Sequence, residues 1–352
     1  MDSKVNILWK KILSQSIVSA EELQKYVAVN VNDVKKTSVT YPMQINPYVL
    51  QLIKEKGSSI SKQYIPDIRE LDDKIGMEDP LAEERDSPVP GITHRYPDRV
   101  LFLVSNVCPS ICRFCTRKRK AGKWKGLTKE QLMQGIDYIR NNVNIRDVLL
   151  SGGDPLLLQD DHLEFILSEI RNIPHVEIIR IGTRTITALP MRITPSLVRI
   201  IKKYNPVFIN FHINHPDEIT AESRAAISLL VDNGIVLGSQ TVLLRSINDN
   251  AEIIIKLMRE LLKLRVRPYY ILQADLVKGT DHFRTRVEKG IEIMKKMRGF
   301  VSGLANPYFV IDLPGGGGKV PVIPDYIKNL SADKVIVENY TGDIYTYPQP
   351  KE

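Results

Sequence analysis

From residue 99 onward, the chain alternates between two hydrophobic patterns. Short runs rich in β-branched and aromatic residues, typical of strands, alternate with stretches in which apolar residues recur every three or four positions, as on one face of a helix. The predicted strands are residues 100–105, 147–151, 177–182, 207–211, 235–240 and 268–273. The predicted helices are residues 129–141, 162–171, 195–204, 222–233 and 252–264. This alternation predicts a parallel α/β fold, either a doubly wound sheet or a full or partial TIM barrel.

Residues that favour helix ends lie at the predicted boundaries. Thr128, Thr194 and Asn250 stand where N-caps are needed, and Gly234 stands where a helix should end. These residue types satisfy backbone groups that the helix itself leaves unpaired. The helix boundaries therefore rest on two independent signals, periodicity and capping.

The start of the chain follows a different pattern. Residues 1–90 are predicted to be an N-terminal helical region that ends in a polar connector. Ser19 and Glu22 form a capping-box pattern, and a second helix is predicted to begin near Asn46.

The region of alternating strands and helices is predicted to occupy residues 91–312, and residues 313–352 form the last region. That region begins with a glycine-rich loop that ends in a lysine. It continues as two β-rich runs, residues 334–339 and 343–347, around a short turn, which predicts a β-hairpin.

Composition adds little to this picture but excludes some classes of protein. With 43% hydrophobic and 26% charged residues, the chain is predicted to be an ordinary soluble globular protein. No run of eighteen apolar residues occurs, so neither a membrane span nor a membrane partner is expected. The expected location is the cytoplasm. The net charge of +8 is spread along the chain, which favours a lysine-rich surface over a nucleic-acid site.

The three cysteines indicate metal chemistry. Cys108, Cys112 and Cys115 are spaced Cys-x3-Cys-x2-Cys directly after the first predicted strand. Three thiolates on one loop can bind three irons of a [4Fe–4S] cluster, and the fourth iron then stays open for S-adenosylmethionine (SAM). The alternatives are a zinc site completed by a histidine, which normally needs four protein ligands, or three structural thiols.

Two glycine-rich turns follow predicted strands. Gly152 and Gly153 would let the backbone approach a ligand such as SAM, although a plain tight turn is the default interpretation. Lys319 follows four glycines behind a predicted strand, residues 308–311, and Val320 after it excludes a nucleotide P-loop. Either Lys319 forms a Schiff base from a mobile backbone, or the segment is a flexible surface loop.

Together these motifs closely resemble the lysine 2,3-aminomutase family, radical SAM enzymes that also use pyridoxal 5′-phosphate (PLP). The resemblance covers about residues 75–348. The matching motifs are residues 86–99, 108–117, 151–155, 210–216, 240–245, 281–284 and 312–319. It implies a partial (β/α)6 barrel of radical SAM type, with the N-terminal helical region and a short C-terminal β-hairpin.

The resemblance also implies a role for each matching residue. Lys319 would be the catalytic residue that binds PLP covalently, and the PLP phosphate would lie near Arg95, Tyr96 and Arg99. The positions implied to contact SAM are Ser151, Gly152, Gly153, Asp154, His212 and Gln240. The α-carboxylate of the substrate would bind Arg117, and the side-chain ammonium of the substrate would bind Asp275 and Asp312.

The implied reaction interconverts L-lysine and L-β-lysine by moving the amino group between neighbouring carbons. Two acids that face one cation favour a basic amino acid and reject glutamate. The resemblance also implies an electron donor such as flavodoxin or ferredoxin, and it is compatible with a homo-oligomer. Phe114, Leu272 and Ala274 depart from common family patterns, and without spare cysteines no structural zinc is expected.

Three alternatives remain open at this point. The first is the same chemistry on arginine or a modified lysine. The second is an RNA-modifying radical SAM enzyme, supported by the basic residues 117–120 and by Trp124 between Lys123 and Lys125. The third is a non-enzymatic Fe–S electron carrier, which would not need the glycine–lysine loop.

Overall fold

A curved sheet forms the centre of the computed structural model, which describes the backbone of residues 2–350 and the side chains of residues 8–350. Its strands are β1 Ile92–Tyr96, β2 Arg99–Ser105, β3 Asp147–Gly152, β4 Ile178–Thr183, β5 Val207–His212, β6 Val236–Leu243, β7 Arg267–Gln273, β8 Tyr308–Leu313 and β9 Gly318–Pro321. They follow one another in chain order across the sheet. Strands β2 to β8 are parallel, and the edge strands β1 and β9 are antiparallel to their neighbours.

Helices on the outside of this sheet connect the parallel strands. They are α6 Lys129–Asn141, α7 Asp160–Arg171, α8 Thr185–Ala188, α9 Pro195–Lys203, α10 Ala221–Asp232, α11 Ala251–Lys263 and α12 Val287–Met297. Alternate strand residues such as Val148, Leu150 and Ile179 are fully buried against the apolar helix faces. The sheet curls into a nearly closed barrel, so the predicted partial barrel is confirmed.

The predicted caps are confirmed. The Thr128 side chain accepts a hydrogen bond from the Gln131 N–H, and Thr194 and Asn250 cap α9 and α11 in the same way. Gly234 has φ +79°, in the left-handed region, one residue beyond the C-cap of α10. A glycine adopts this conformation without steric cost.

The N-terminal region is helical, as predicted, and it contacts the first barrel loop. Its helices are α1 Asp2–Ser14, α2 Ala20–Leu23, α3 Val31–Thr40, α4 Pro47–Lys56 and α5 Ser58–Tyr64. Ser19 caps α2 and Asn46 caps α4. The Asn46 amide also donates hydrogen bonds to the carbonyl oxygens of Pro109 and Ala188, both at 2.8 Å. This buried side chain therefore joins the helical region to the cysteine loop.

The predicted C-terminal hairpin is confirmed and has a third strand. Strands β10 Ile327–Leu330, β11 Lys334–Glu338 and β12 Ile344–Pro348 form a separate antiparallel sheet. Across residues 2–350, no helix is long and apolar enough to cross a membrane.

Candidate active site

The three cysteines lie on the loop between β2 and α6, where the N-terminal region holds the backbone. The Gln44 amide donates to the Cys108 carbonyl at 3.0 Å, and the Ile111 N–H donates to the Gln44 carbonyl at 2.9 Å. The Arg113 N–H donates to the Gln63 carbonyl at 2.9 Å. The loop is therefore attached at several points along its length.

A buried charge network fixes the centre of the same loop. Arg113 donates two hydrogen bonds to Glu70, at 2.9 and 2.6 Å, and Lys118 Nζ lies 2.7 Å from the same carboxylate. All three side chains are at most 3% exposed. Burial lowers the pKa of Lys118 to about 8, and Glu70 partly offsets this effect. Sequence reasoning missed Glu70 because a single acid in a polar segment carries no periodic signal.

The chemistry of the three cysteine side chains fits a cubane cluster. Burial raises the pKa of all three thiols, to about 12 for Cys112, so they become ligands only when a metal displaces their protons. Within residues 8–350, no three His, Cys, Asp or Glu side chains converge to hold one ion. A cubane cluster does not require such convergence, because each thiolate binds a different iron.

The turn after β3 lies directly against the cysteine loop. The Gly153 N–H donates to the Ser105 carbonyl, and the Asp154 N–H donates to the Val107 carbonyl at 2.7 Å. Gly152 has φ +134°, and a Cβ on either glycine would overlap the backbone of this neighbouring segment. Glycine is therefore required here by the close approach of two backbones, which brings the predicted SAM-binding turn beside the cysteines.

Asp154 makes protein contacts with both carboxylate oxygens. It accepts hydrogen bonds from the backbone of Leu156, Arg184 and Thr185 and from the Thr183 hydroxyl. These bonds join the ends of β3 and β4 behind the cysteine loop. In this structure Asp154 therefore shapes the loop region through hydrogen bonds to its neighbours.

His212 and Gln240 lie side by side at the ends of β5 and β6, as paired residues in the sheet. The His212 ring centroid is 5.3 Å from that of Phe114, which lies between the second and third cysteines. Burial lowers the pKa of His212 to about 3, so the ring is neutral, and Nε2 lies 2.9 Å from the Asn214 amide oxygen. Both residues are thus near the cysteine loop.

Lys319 is part of a short hairpin, which differs from the mobile loop considered from the sequence. Strand β8 extends to Leu313, and β9 returns antiparallel so that Lys319 pairs directly with Asp312. Gly315, Gly316 and Gly318 have φ of +70°, +79° and +83°, which allow the tight reversal between the strands. The Lys319 ammonium forms an ion pair with the Asp312 carboxylate.

The residues predicted to lie near the PLP phosphate surround this hairpin. Arg95 Nη1 lies 3.7 Å from Asp312 Oδ1, and the Tyr96 hydroxyl accepts a hydrogen bond from the Lys319 N–H at 3.0 Å. The Arg99 guanidinium lies over the Tyr96 ring, 4.3 Å from its centroid. An amine beside two guanidinium groups fits a phosphate-bearing aldehyde such as PLP.

The two predicted substrate acids lie close to each other and to the cysteine loop. The Thr116 hydroxyl, next to Cys115 in the chain, donates to Asp275 at 3.1 Å. Burial and the nearby Asp312 charge raise the pKa of Asp275 to about 6. Ala274 and both acids line a cavity of about 400 Å³. Among residues 8–350, no group hydrogen-bonds Asp312 Oδ1, so it can accept a donor from a ligand.

Arg117 is held by an acid that sequence reasoning missed. Glu83, only 6% exposed, accepts hydrogen bonds from Arg117 Nε and Nη2 at 2.9 and 2.7 Å. Arg117 Nη1 donates to the Ser151 hydroxyl at 3.3 Å, toward the turn after β3. Glu83 lies in the segment predicted as a connector, where nothing in the pattern distinguishes it from surface acids.

The basic residues 117–120 are mostly paired inside the protein. Lys118 contacts Glu70, Arg117 contacts Glu83, and Arg119 Nη2 lies 3.0 Å from Asp79. Side chains that buried acids hold inside the protein present little charge at a surface where a nucleic acid could bind. This pairing removes most of the support for an RNA-modifying enzyme.

Comparison with known proteins agrees with these features. Residues 294–352 match the family model for lysine-2,3-aminomutase, and residues 102–267 match the model for the radical SAM superfamily. An L-lysine 2,3-aminomutase of Clostridium subterminale is 50% identical over 97% of this chain and 84% of that protein. One of Methanococcus maripaludis is 49% identical over 98% of this chain and 82% of that protein. A glutamate 2,3-aminomutase of Clostridioides difficile is 42% identical over 96% of this chain and 81% of that protein.

Proposed function

The chain belongs to the lysine 2,3-aminomutase family of radical SAM enzymes, and we propose that it is the isomerase that interconverts L-lysine and L-β-lysine. Its cofactors are a [4Fe–4S] cluster, SAM and PLP. When bound, the reduced cluster and SAM supply the radical that removes a hydrogen atom from the substrate, and PLP carries the amino group that moves.

The observation that carries this proposal is the contact between Asp312 and an alkylammonium group. The Lys319 ammonium, chemically the same group as the end of a lysine substrate, is ion-paired with Asp312. It also partly offsets the rise in the pKa of Asp275 that burial and Asp312 cause. Asp312 is buried and Asp275 is half-buried, so a substrate side-chain carboxylate placed beside them would be unpaired and partly desolvated. The pair therefore favours lysine over glutamate, although a relative named for glutamate is also closely similar.

Arg117 provides the opposite charge for the other end of the substrate. We assign the α-carboxylate to this guanidinium, which Glu83 holds through Nε and Nη2. The Arg117 position, two residues after Cys115, keeps the substrate backbone near the cluster loop. Two acids at one end and one arginine at the other match a basic amino acid of fixed length.

The other residues are assigned by their proximity to these groups. Cys108, Cys112 and Cys115 would hold the cluster, and Lys319 would hold PLP with Arg95, Tyr96 and Arg99 around its phosphate. SAM would lie between the cluster and the residues Ser151, Gly152, Gly153, Asp154, His212 and Gln240. The contact of Gly152 and Gly153 with the backbone that leads into the cysteine loop, and the packing of the His212 ring near Phe114, support this assignment.

Some expectations from the sequence remain predictions. They are the electron donor, such as flavodoxin or ferredoxin, the homo-oligomer, the cytoplasmic location, and the region boundaries 1–90, 91–312 and 313–352. An electron donor is required because the cluster must be reduced before it can act on SAM.

A substrate panel tests the proposed function. The anaerobically reconstituted protein is incubated with SAM, dithionite and either lysine, arginine, glutamate or alanine. We expect β-lysine from lysine, no product from glutamate, and loss of lysine turnover in Asp312→Asn. The matched control is Asp325→Asn, since Asp325 is 79% exposed and should leave turnover unchanged. Consumption of lysine without β-lysine, or equal turnover of glutamate, would contradict the proposal.

Arginine is the second candidate substrate. The cavity of about 400 Å³ that Asp275 and Ala274 line offers room beside the two proposed substrate acids. A guanidinium is larger than an ammonium and needs several acceptors, which two carboxylates can supply. Formation of β-arginine in the same panel would favour this candidate.

A further inference from the structure

Arg184, directly after β4, is a buried cation without a role in the proposed reaction. Its side chain is 8% exposed. Nε donates to the Tyr64 hydroxyl at 2.8 Å, and Nη2 donates to Gln63 Oε1 at 2.8 Å and to Glu218 at 2.9 Å. Nη1 is fully buried and has no hydrogen-bond partner among residues 8–350. An unpaired donor of this kind is expensive unless it faces a negative ligand.

The guanidinium lies beside the cysteine loop. Its central carbon is 5.0 Å from the Phe114 ring centroid and 5.2 Å from the Tyr64 ring centroid. Cys112 packs against the two hydrophobic clusters that contain these rings. Arg184 and Cys112 therefore share the same aromatic neighbours, in a region from which water is largely excluded.

The guanidinium is only partly paired. Glu218 accepts a hydrogen bond from Nη2 at 2.9 Å, whereas Nη1 has no acceptor among residues 8–350. A partly paired buried cation therefore lies against the ring of Phe114, which stands between Cys112 and Cys115 in the chain.

We propose that Arg184 is a positioning residue that raises the reduction potential of the [4Fe–4S] cluster bound at Cys112. Reduction adds one electron to the cluster, and a buried cation stabilises the added negative charge in surroundings of low dielectric. The electron comes from the external donor, and no bond to Arg184 is made or broken. This inference rests on the proposed role of the three cysteines as cluster ligands.

Redox titration followed by EPR, without SAM or substrate, tests the inference. Arg184→Gln removes the cation, and we expect the ratio of reduced to oxidised cluster at a fixed potential to fall about tenfold, which is about 59 mV for one electron. Glu218→Gln removes the opposing acid, so its ratio should rise. Arg184→Lys keeps the charge and should stay nearer to the wild type than Arg184→Gln.

Arg192→Gln is the matched control. Arg192 is also fully buried, pairs with Asp160 at 2.7 Å, and stacks on Trp9 rather than on Phe114. Loss of the Arg192 guanidinium should destabilise the fold without changing the ratio of reduced to oxidised cluster.

Several outcomes would overturn the inference while leaving the proposed function intact. They are a wild-type ratio in Arg184→Gln, an equal shift in Arg192→Gln, or shifts of the same sign in the variants of Arg184 and Glu218. If Arg184 served only to bind SAM, the potential without SAM would not move. If Arg184→Gln takes up no cluster, a fall of the ratio in Glu218→Gln overturns the inference and a rise supports it. A wild-type protein that binds no iron would instead contradict the proposed function itself.

Discussion

The cysteine loop and the Lys319 hairpin face each other in the proposed site, but they are fixed very differently. The loop is held by Arg113, Glu70 and Lys118, all buried, together with backbone hydrogen bonds to the N-terminal region. The Lys319 side chain is 33% exposed and has one ion pair, to Asp312. The cysteine loop is thus fixed by many buried contacts, whereas the Lys319 side chain is held by few contacts that can be replaced.

This difference follows from what each side has to do. A cluster that accepts an electron and contacts SAM needs ligands that do not move, and a fully paired buried network provides this rigidity. In its proposed role, the Lys319 amine would have to move away when a substrate amine takes its place. The Lys319 side chain is 33% exposed, so water can solvate its ammonium when the ion pair with the buried Asp312 breaks.

Removing the Lys319 amine should produce the largest effect. We expect Lys319→Ala to lose lysine turnover to background, because the variant lacks the amine that we propose holds PLP. Iron content and the EPR signal of the reduced cluster should stay unchanged, since the cysteine loop has separate anchors. Borohydride should fix PLP to the wild type but not to the variant. Lys328→Ala, in the C-terminal sheet, is the control, and full activity in Lys319→Ala would contradict the proposed role.

Breaking the buried network should destabilise the whole protein. Glu70→Gln leaves Arg113 and Lys118 buried without their counter-ion, and such losses cost about 3–5 kcal/mol. Denaturant unfolding should show this decrease, together with lower iron uptake. Glu78→Gln, which alters a largely exposed acid paired with Lys278, should stay within about 0.5 kcal/mol of the wild type. Similar stability in both variants would mean that the network does not anchor the loop.

The alternating strands and helices were predictable from the sequence because their signals are local, whereas the partial barrel was implied by the family resemblance. Capping by Thr128, Thr194 and Asn250 and the period of the apolar residues depend only on nearby positions. Glu70 and Glu83 could not be found in this way, because their partners Arg113 and Arg117 lie 43 and 34 residues away. Long-range ion pairs between single charged residues leave no periodic pattern.

The conformation of the glycine run before Lys319 could not be predicted from composition alone. Four glycines predict freedom of the backbone, and freedom alone suggests a mobile loop. In the structure the same freedom allows a tight reversal, and Asp312 and Lys319 become cross-strand neighbours. The direct pairing of a proposed substrate acid with the proposed PLP lysine is therefore a finding of the structure.

Asp275 links the two sides, and its ionisation should set the acid limit of activity. Its pKa is raised to about 6, first by burial and then by Asp312. Only the ionised carboxylate attracts a substrate ammonium, so kcat/KM for lysine should fall as the pH drops through 6. At pH 5 about one-tenth of this group is ionised, and kcat/KM should be about tenfold below its plateau. Asp275→Asn should be weakly active and lack this pH dependence. If the variant keeps the wild-type pH profile of kcat/KM, a group other than Asp275 sets the acid limit.

The smallest expected effect would test whether the two sides are independent. Tyr96→Phe removes the hydroxyl that accepts the Lys319 N–H at 3.0 Å but keeps the ring under Arg99. The loss of one hydrogen bond of about 1 kcal/mol corresponds to about fivefold weaker PLP retention, measurable by absorbance after gel filtration. Tyr308→Phe, a 59% exposed tyrosine of β8, is the control. Because the cysteine loop has its own buried anchors, iron content should not change in Tyr96→Phe. If Tyr96→Phe loses iron together with PLP, the Lys319 hairpin also stabilises the cysteine loop, and the two sides of the site are not independent.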